Sequence, residues 1–453
     1  MGFKPMFEEE RLFFKEKTGI DLPTECWRNG SKIYLDFTQP KALIEFKVAD
    51  GEIIISKDRS NDYKVGKNIE FLPKQKKIEE LINENKDRLN IQANSSIVSC
   101  INMINKYPNY FYLLSHSGGK DSTITYWVWT EALKQILKEP NWIINFANTS
   151  NDTADTYRFI KQLPKDKLNT LNPSIGWTRW ITEIKKYFIP STRVRNCCST
   201  YKEGQVNKAY DNERDTINIT GLRSKESVKR QDYEMIMDYD WRINHFKNNN
   251  VPKKWITFAP IIEWTDEDVW LFLLYKNIEF NRMYKFGFHR VGCLICPFQQ
   301  DYIDLLIKEY YPKRWEWWSN ILKKNYEITC VEKNLKWTLK EWCNGKWKRA
   351  VSKEYELINA SPTKERVKQL ADLKGVSEDM AKKYFKKKCY ECGKNLNPTE
   401  LAMFYKLNGR FENTEDDNRH LLCKKCFCKN SDIKIKDYEA MARNFRDDGC
   451  KLF

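Results

Sequence analysis

The stretch Tyr112-Leu-Leu-Ser-His-Ser-Gly-Gly-Lys-Asp-Ser-Thr123 decides the fold of this chain. The apolar residues 111–114 predict a buried strand, and the polar loop 117–122 leads into a helix-compatible run that extends to about Lys138. A strand, a glycine-rich loop and a helix form a geometry that binds phosphate, because glycines let backbone N–H groups approach an anion and the helix N-terminus adds positive charge. The loop lacks the G-x-x-x-x-G-K-S/T spacing of a Walker A motif.

Length and composition set the class of protein. With 453 residues, 41% hydrophobic content and 16 Trp, the chain can form a sizeable core and more than one domain. Its net charge of +16 favours an anionic partner, nucleic acid first. The chain has no secretory signal pattern and no long apolar run, so we expect a cytoplasmic protein without membrane contact. Metal sites then explain the 14 Cys better than disulfides do.

The chain divides into four predicted regions. Apolar strands alternate with helical segments in the second region, which predicts an α/β fold with a parallel sheet whose ligands bind beyond the carboxyl ends of the strands. In the third region, Trp residues are interleaved with Lys and Arg, a pattern that suits either stacking on unpaired bases or a core with a solvated basic face. The regions are a small β-rich N-terminal module at 1–72, the parallel-sheet domain at 73–300, a basic aromatic helical region at 301–385 and a cysteine-containing module at 386–453.

The loop Ser117-Gly-Gly-Lys-Asp-Ser122 resembles the SGGKDS loop of the PP-loop ATP pyrophosphatases, a superfamily that includes phosphoadenosine phosphosulfate (PAPS) reductases and sulfur-inserting enzymes. The resemblance implies their adenine nucleotide alpha hydrolase-like fold. It also implies that the segment 146–150 contacts adenosine and that 221–230 matches the family's G-x-R-x-x-E-S-x-x-R segment, whose Arg would clamp phosphate. The implied cofactor-binding residues are Ser117, Gly118, Gly119, Lys120, Asp121, Ser122, Asn148, Thr149, Arg223, Glu226 and Arg230.

Two further features are interpreted as structural. Pro260-Ile-Ile-Glu-Trp264 with Asp268-Val-Trp270 resembles a stretch of the same family, and we interpret it as a helix start and core. His116 immediately precedes the loop, and we leave it outside the catalytic set because a structural role accounts for it at least as well as a general-base role.

Four cysteines inside the parallel-sheet domain form a candidate metal centre. A Cys197-Cys198 pair combined with a distant Cys293-x-x-Cys296 can place four thiolates around one centre. The arrangement resembles the [4Fe–4S] site of adenylylsulfate-type reductases, and Arg193, Arg195 and Arg290 would offset its negative charge. Zinc bound by four Cys is the alternative that the sequence leaves open.

A second set of cysteines lies near the end of the chain. Cys389-x-x-Cys392 and Cys423-x-x-Cys426 have the spacing of two zinc knuckles and predict a structural Zn²⁺ site. His420 and Cys428 are alternative ligands. The surrounding lysines suit either contact with nucleic acid or a purely structural module; they are Lys386, Lys387, Lys388, Lys424 and Lys425.

The cysteine-containing segment near the end of the chain also helps to distinguish the candidate reactions. PAPS reductases carry a catalytic Cys in an E-C-G-x-H tail, whereas Glu391-Cys392-Gly393 has no His after it, which favours Cys392 as a zinc ligand. We therefore predict ATP-dependent activation of a nucleic acid, DNA or tRNA, for sulfur insertion. The alternatives are a PAPS or adenylylsulfate reductase that forms sulfite, and a non-catalytic nucleic-acid-binding protein with a sensing cluster. The reductase would need another redox-active cysteine; the candidates are Cys343, Cys428 and Cys450.

The predicted mechanism assigns Lys120, Asp121 and Arg223 as catalytic residues. ATP binds with its pyrophosphate in the loop, and Mg²⁺ bridges phosphate oxygens with Asp121 as candidate ligand. A substrate oxygen attacks the α-phosphorus, while Lys120 and Arg223 stabilise the charge on the departing pyrophosphate. A sulfur species, held at the cluster or supplied by a donor protein, then displaces AMP.

Overall fold

The computed structural model describes residues 2–60, 75–192, 196–209, 214–227, 230–246, 254–331, 337–349, 363–374, 377–382, 385, 387–397, 399–401, 403 and 421–447. The chain forms two compact units, residues 1–349 and 350–453. The predicted region boundaries after residues 72, 300 and 385 stay predictions. Within the described ranges, no helix combines the length and the apolar character that crossing a membrane requires.

A five-stranded antiparallel sheet begins the first unit, with its strands in chain order. The turn between the last two strands has left-handed backbone at Asp50 (φ 53°) and Gly51 (φ 84°). Such turns match the twist of paired strands, and β4 and β5 form a hairpin around this turn. A helix absent from the sequence prediction, α1 (Glu8–Thr18), buries Phe14 against this sheet. The strands are β1 (Lys4–Pro5), β2 (Trp27–Asn29), β3 (Lys32–Tyr34), β4 (Ile44–Ala49) and β5 (Glu52–Asp58).

A six-stranded sheet forms the centre of the same unit. Its order is β10-β11-β9-β6-β7-β8, with β10 antiparallel to β11 and every other neighbouring pair parallel. The α/β fold with a parallel-sheet core is therefore confirmed. The strands are β6 (Phe111–Ser115), β7 (Trp142–Ala147), β8 (Leu168–Leu171), β9 (Thr216–Ile219), β10 (Ile236–Met237) and β11 (Trp255–Phe258).

Helices cover this sheet on both faces, which explains why β6 is apolar along its whole length. The core on one face joins Leu114 and Ile144 of the sheet to Trp129, Trp264 and Trp270 of the helical layer. The main helices of the unit after α1 are α2 (Ile78–Lys106), α3 (Lys120–Leu133), α4 (Ala154–Ile160), α5 (Gly204–Ala209), α6 (Tyr239–Phe246), α7 (Asp266–Tyr275), α8 (Asp301–Tyr310) and α9 (Pro312–Tyr326). Short helical turns are Trp177–Arg179, Trp180–Ile184, Asn196–Cys198, Ser199–Glu203, Ser224–Glu226, Arg282–Tyr284, Glu327–Val331, Leu339–Glu341, Trp342–Lys346 and Trp347–Arg349.

Strand order places a crevice at the carboxyl end of β6. The chain adds β7 and β8 on one side of β6, and then β9 and β11 on the other. The connections after β6 and β9 therefore run to opposite sides and leave an opening between them, which is where ligands of open α/β sheets bind. The glycine-rich loop follows β6 at this point.

The N-terminal sheet contacts the central domain through buried polar groups. The backbone N–H of Gly2 donates to Asp266 Oδ2 at 3.0 Å, and that of Phe3 donates to Glu267 Oε1 at 2.9 Å. Arg28 is almost fully buried and donates to Glu10 Oε1 at 2.6 Å and to the carbonyl of Gly287 at 2.7 Å. The module thus supports both α7 and the segment that leads to Cys293.

The second unit is described in parts. Its helices are α10 (Lys364–Lys374), α11 (Glu378–Lys382), α12 (Lys424–Asn430) and α13 (Ile435–Asp447). Val367, Leu370 and Ala381 bury a small core between the first two helices. Cys389 and Cys423 belong to a separate cluster that precedes α12.

Candidate functional site

The glycine-rich loop is a tight turn on the N-terminus of α3. Gly119 caps the helix, and Gly118 has left-handed backbone (φ 77°), a conformation that glycine adopts without strain. Ser122 Oγ donates to the Gly119 carbonyl at 2.9 Å and lies 3.3 Å from the Ser117 nitrogen. The Tyr284 hydroxyl accepts from the Lys120 backbone N–H at 2.9 Å. The turn is therefore held in shape by side chains on both sides.

His116 is part of this support. Its Nδ1 accepts from the Gly118 N–H at 3.1 Å, and the ring is 2% exposed. Burial lowers the pKa of His116 to about 3, so the imidazole is neutral at ordinary pH. A neutral ring that fixes the loop agrees with leaving His116 out of the catalytic set.

Four charged side chains meet beside the loop. Lys120 Nζ lies 2.9 Å from Asp121 Oδ2 and 2.9 Å from Asp266 Oδ1. Arg223, which follows β9, donates from Nε to Asp121 Oδ1 and from an amino group to Asp266 Oδ1, both at 2.7 Å. The structure thus brings the three predicted catalytic residues together and adds a fourth group, Asp266, that sequence analysis missed.

Capping places Asp266 at this point. Thr265 is the N-cap of α7 and forms a reciprocal capping box with Asp268, so Asp266 becomes the first helical residue. The spacing of Thr265 and Asp268 is typical of a helix start, but nothing in the sequence indicated that Asp266 contacts Lys120. Only the tertiary fold, which brings the start of α7 beside the start of α3, shows that Asp266 contacts Lys120.

The four groups stabilise one another's charged forms. Burial lowers the pKa of Lys120, but the Asp121 and Asp266 carboxylates outweigh it, and the pKa of Lys120 is raised overall. Burial raises the pKa of Asp266, but Lys120 and Arg223 outweigh it and hold that pKa well below its usual value. Lys120, Arg223 and Asp266 are therefore charged at neutral pH, and the formal charges of the two cations and the two carboxylates sum to zero.

Gly221 must be a glycine for this arrangement to form. A Cβ at this position would lie 2.8 Å from the Asp121 carbonyl carbon and 2.9 Å from the Ser122 nitrogen, which is closer than side-chain carbons approach backbone. We expect Gly221→Ala to displace the start of α3 and to weaken the predicted binding of ATP about tenfold or more, measured by calorimetry. Gly176→Ala is the matched control, because its Cβ would meet its nearest neighbour at 3.7 Å. Unchanged ATP binding in Gly221→Ala would contradict the expectation.

The loop after β7 lies beside the crevice, but its side chains are already engaged. Asn148 donates to Asn172 Oδ1 at 2.7 Å and accepts from the Tyr157 hydroxyl at 2.8 Å. Thr149 is 2% exposed; its hydroxyl donates to Asp152 Oδ2 at 2.8 Å and lies 3.6 Å from Cys293 Sγ. Contact of Asn148 and Thr149 with adenosine stays a prediction, and the described contacts show both side chains ordering the loop.

Glu226 and Arg230 form the outer edge of the site. Glu226 accepts from Arg230 through one carboxylate oxygen and from Arg290 through the other, the latter at 3.0 Å. Two cations share one carboxylate, so this edge carries a net positive charge. Burial and the neighbouring Arg290 lower the pKa of Arg230, as expected for cations held close together.

The Cys197-Cys198 pair and the Cys293-x-x-Cys296 motif influence one another. A hydrogen bond with Cys198, then burial and the sulfurs of Cys198, Cys293 and Cys296 raise the pKa of Cys197. Burial raises the pKa of Cys293 to about 11, although Lys202 opposes the shift. Among the described residues, however, these four sulfurs do not form a group in which all lie within 4.8 Å of one another, so a shared metal at this site stays a prediction.

Lys202 is the cation whose pKa responds to this cysteine site, although its side chain is exposed. The sulfurs of Cys293, Cys198 and Cys296 raise its pKa, together with the Asp152 carboxylate. Sequence analysis assigned this charge to Arg193, Arg195 and Arg290 instead. Arg193 and Arg195 lie outside the described residues, as do His420, Lys386 and Cys450, and Arg290 pairs with Glu226.

The second cysteine set converges tightly. The sulfurs of Cys389, Cys392, Cys423 and Cys426 all lie within 4.8 Å of one another, and those of Cys392 and Cys423 are 3.7 Å apart. Tetrahedral zinc with Zn–S bonds of about 2.3 Å requires sulfurs about 3.8 Å apart. The four cysteines therefore fit a zinc ion. Cys428 packs in a different cluster with Met403 and Tyr438, so the structure does not place it among the ligands.

Two cavities lie near these sites. One of about 460 Å³ lies beyond the end of β8 and is lined by Trp180, Tyr201 and Gln205. Gln205 donates to the Asn148 carbonyl at 2.9 Å, so this cavity borders the loop after β7. Another of about 730 Å³ lies between α2 and the start of α7, and none of the three predicted catalytic residues lines it.

The central part of the chain matches a known protein family. Residues 112–299 match the family model of the phosphoadenosine phosphosulfate reductase domain, which confirms the resemblance predicted from the loop. The matched range contains the glycine-rich loop, Arg223, Asp266 and both cysteine motifs of the central domain.

Individual relatives match over part of their length. An uncharacterized protein of Methanocaldococcus jannaschii is 28% identical over 250 residues, which cover 55% of this chain and 57% of that protein. An adenosine 5'-phosphosulfate reductase of Anoxybacillus flavithermus is 27% identical over 151 residues, which cover 32% of this chain and 56% of the reductase. A solved U34-tRNA thiolase of Methanococcus maripaludis with its [4Fe-4S] cluster is 14% identical, with a TM-score of 0.28, over 53% of this chain and 79% of that one. The chain thus spans little more than half the length of these two curated relatives.

Proposed function

We propose that this chain, with its PAPS reductase-like domain, uses ATP to activate a nucleic acid for sulfur insertion and releases AMP and pyrophosphate. The observation that carries the proposal is the convergence of Lys120 and Arg223, from the ends of two neighbouring strands, beside a glycine-rich loop at the helix N-terminus. That combination provides backbone donors, an ammonium and a planar guanidinium at one point.

A nucleoside triphosphate bound at this site needs a metal cation to neutralise part of its charge. Lys120, Arg223, Asp121 and Asp266 cancel one another, so these four groups alone do not neutralise a triphosphate. Asp121 is 23% exposed at its side chain and Asp266 only 8%, so Asp121 is the carboxylate that a phosphate-bound Mg²⁺ could reach. Magnesium is held in this way by one or two carboxylates together with substrate phosphates.

The reaction then takes two balanced steps. An oxygen of the nucleic acid attacks the α-phosphorus, the bond between that phosphorus and the pyrophosphate oxygen breaks, and Lys120 and Arg223 stabilise the departing charge. Sulfur at the sulfide level next attacks the activated atom of the nucleic acid, and the activating oxygen departs with AMP. No net oxidation occurs, since sulfide provides the electron pair and AMP takes the leaving pair.

The cysteine sites have separate assigned roles. Cys197, Cys198, Cys293 and Cys296 would hold a [4Fe-4S] cluster, which supplies an iron site for sulfur or for electrons. Lys202 would offset part of its negative charge, and Thr149 brings the loop after β7 to within 3.6 Å of the Cys293 sulfur. Cys389, Cys392, Cys423 and Cys426 would hold Zn²⁺ in a structural role.

Sulfonucleotide reduction is the second candidate function. The match to adenosine 5'-phosphosulfate reductases favours it, because those enzymes share the central domain. In that case the same loop would bind a sulfonucleotide without ATP hydrolysis, and the reaction would need a redox-active cysteine. Of the candidates, Cys343 is partly exposed and Cys428 is buried.

Product analysis separates the two candidates. Anaerobically purified protein is supplied with ATP, Mg²⁺, sulfide and single-stranded DNA or tRNA, and in a parallel reaction with adenosine 5'-phosphosulfate and thioredoxin. We expect AMP and pyrophosphate to form in equal amounts with nucleic acid in the first reaction, and no sulfite in the second. Sulfite without AMP formation from ATP would replace the proposal with the reductase function.

A further inference from the structure

Arg314 is a partly buried cation of the first unit that lies in the first turn of α9. Its guanidinium carbon lies 5.2 Å from the ring centre of Trp317, one turn further along α9, and the side chain is partly buried. Within the described ranges it has no carboxylate partner and no side-chain hydrogen bond, and burial lowers its pKa. The most deeply buried cations of the unit each pair with a carboxylate; they are Lys4, Arg28, Lys120, Arg223 and Lys348.

The guanidinium of Arg314 is free to bind a ligand. Its nitrogens are not among the buried atoms that lack a partner, so they stay accessible from solvent, and no protein acceptor among the described residues occupies its five donors. Stacking on Trp317 fixes the plane of the group. The donors on the edge of the plane stay available to an anion, and phosphate matches their fork geometry.

The position of Arg314 connects it to the candidate active site. Its charge acts on Tyr157, whose hydroxyl donates to Asn148 in the loop after β7. Cys293 acts on the same Tyr157 hydroxyl. Tyr311, three residues before Arg314, donates to Asp155 Oδ2 at 2.7 Å and holds the start of α9 against α4. The guanidinium therefore lies at the rim of the crevice, next to the loop and the cysteine site.

Aromatic rings accompany the charge. Trp315 and Trp317 are both partly exposed, and Lys308 Nζ lies 4.9 Å from the ring centre of Trp315. Single-stranded nucleic acids bind to surfaces that combine cations for the backbone with rings for the bases. A free sulfonucleotide or ATP would place its phosphates in the glycine-rich loop. Such a small ligand would not contact the cations and rings at this rim.

We propose that Arg314 binds a phosphodiester of the substrate nucleic acid, with Trp317 beside it as a surface for an unpaired base. Bound there, a strand would run past Asn148 and present the adjacent nucleotide to the crevice. The inference rests on the proposed function, which supplies the nucleic acid. It adds the contact by which the strand is held.

Fluorescence anisotropy of labelled single-stranded DNA and RNA oligonucleotides over a range of salt concentrations tests the inference in the full-length protein. We expect Arg314→Gln to weaken binding of at least one strand about tenfold and to lower the salt slope by about 0.7, the value for one lost phosphate contact. Arg314→Lys keeps the charge and loses the fork, and we expect an intermediate loss. Arg158→Gln is the matched control, because Arg158 is exposed on the adjacent α4 and pairs with Asp155, and its binding should stay within about twofold of wild type.

Three results would overturn the inference: wild-type affinity and slope in Arg314→Gln, equal losses in Arg314→Gln and Arg158→Gln, or no binding of either oligonucleotide by the wild type. ATP-to-AMP turnover is measured separately. If turnover is absent while Arg314→Gln weakens binding as expected, the proposed reaction fails and the binding site stands. Thermal unfolding of each variant confirms that the fold is retained, which is expected since Arg314 has no ion pair to lose within the described ranges.

Discussion

Replacing Lys120 by methionine should lower ATP-to-AMP turnover about 10²- to 10³-fold, the range found when one donor to a developing negative charge is removed. Methionine keeps much of the length of the side chain and removes its charge. The ammonium lies within 3.1 Å of both Asp121 oxygens and 2.9 Å from Asp266 Oδ1, and a phosphate oxygen would take one of its three donors when Asp121 turns to Mg²⁺. Turnover is measured by separating AMP from ATP.

A structural effect of the same substitution has to be separated from a catalytic one. Without Lys120, Arg223 alone faces two carboxylates, and the loss of a buried partner destabilises the fold by about 3–5 kcal/mol. Circular dichroism and metal content therefore accompany the assay. Lys225→Met removes the same charge from an exposed position two residues after Arg223 and should leave turnover unchanged. Wild-type turnover in Lys120→Met would refute the catalytic assignment of the loop.

The sequence predicted the parts of this site that depend on local pattern. The loop, its flanking strand and helix, and Arg223 after β9 all follow from short motifs whose geometry is set by neighbouring residues. The helix after the loop ends at Leu133, earlier than the predicted Lys138, and the chain then turns into β7, which begins at Trp142. Asp266 and Tyr284 were missed because each reaches the loop only through the tertiary fold.

The N-terminal module shows the same limit. Its β-rich character was predicted and its strands are present, but the sequence assigned no role to it. In the structure, Gly2 hydrogen-bonds Asp266, and Arg28 binds the Gly287 carbonyl while its guanidinium carbon lies 4.7 Å from the Tyr302 ring centre. Both hydrogen bonds are made to residues that precede the segment that carries Cys293 and Cys296. Such a supporting role depends on residues more than 250 positions apart in the chain, as the separation of Arg28 and Gly287 illustrates.

The two cysteine sets differ in what could be predicted. Paired CxxC motifs at Cys389 and Cys423 already specify ligand number and type, and the sulfurs meet as that spacing predicts. At Cys197 and Cys293, spacing gives four thiols but not the identity of the metal, and their mutual effect on pKa is compatible with either metal. Iron and sulfide analysis of anaerobically purified protein distinguishes a cluster from zinc at that centre.

Replacing Cys389 by serine should remove one zinc ion per chain and unfold the cysteine module of the second unit. Structural zinc in small modules contributes on the order of 10 kcal/mol, which exceeds what the small apolar cluster around Cys389 and Cys423 can supply. The knuckle is shaped for the metal: Gly393 has left-handed backbone (φ 68°), and its N–H donates to the Cys389 carbonyl at 3.0 Å. Burial raises the pKa of Cys389, but backbone N–H groups outweigh it and lower that pKa to about 7, which favours the thiolate that zinc binds.

Cys428→Ala provides the matched control for that substitution. Cys428 is 6% exposed in the same module but packs against Met403 and Tyr438 instead of the four sulfurs, so its loss should cost about 1–2 kcal/mol of packing and leave the zinc content unchanged. Zinc and iron are counted by elemental analysis, and unfolding of residues 387–447 is followed by hydrogen exchange. Full zinc content in Cys389→Ser would refute the site. Loss of zinc in Cys428→Ala would show that Cys428 is a zinc ligand in place of one of the four cysteines. Retained iron in both variants would show that the two cysteine centres bind metal independently, as expected for sites on separate compact units.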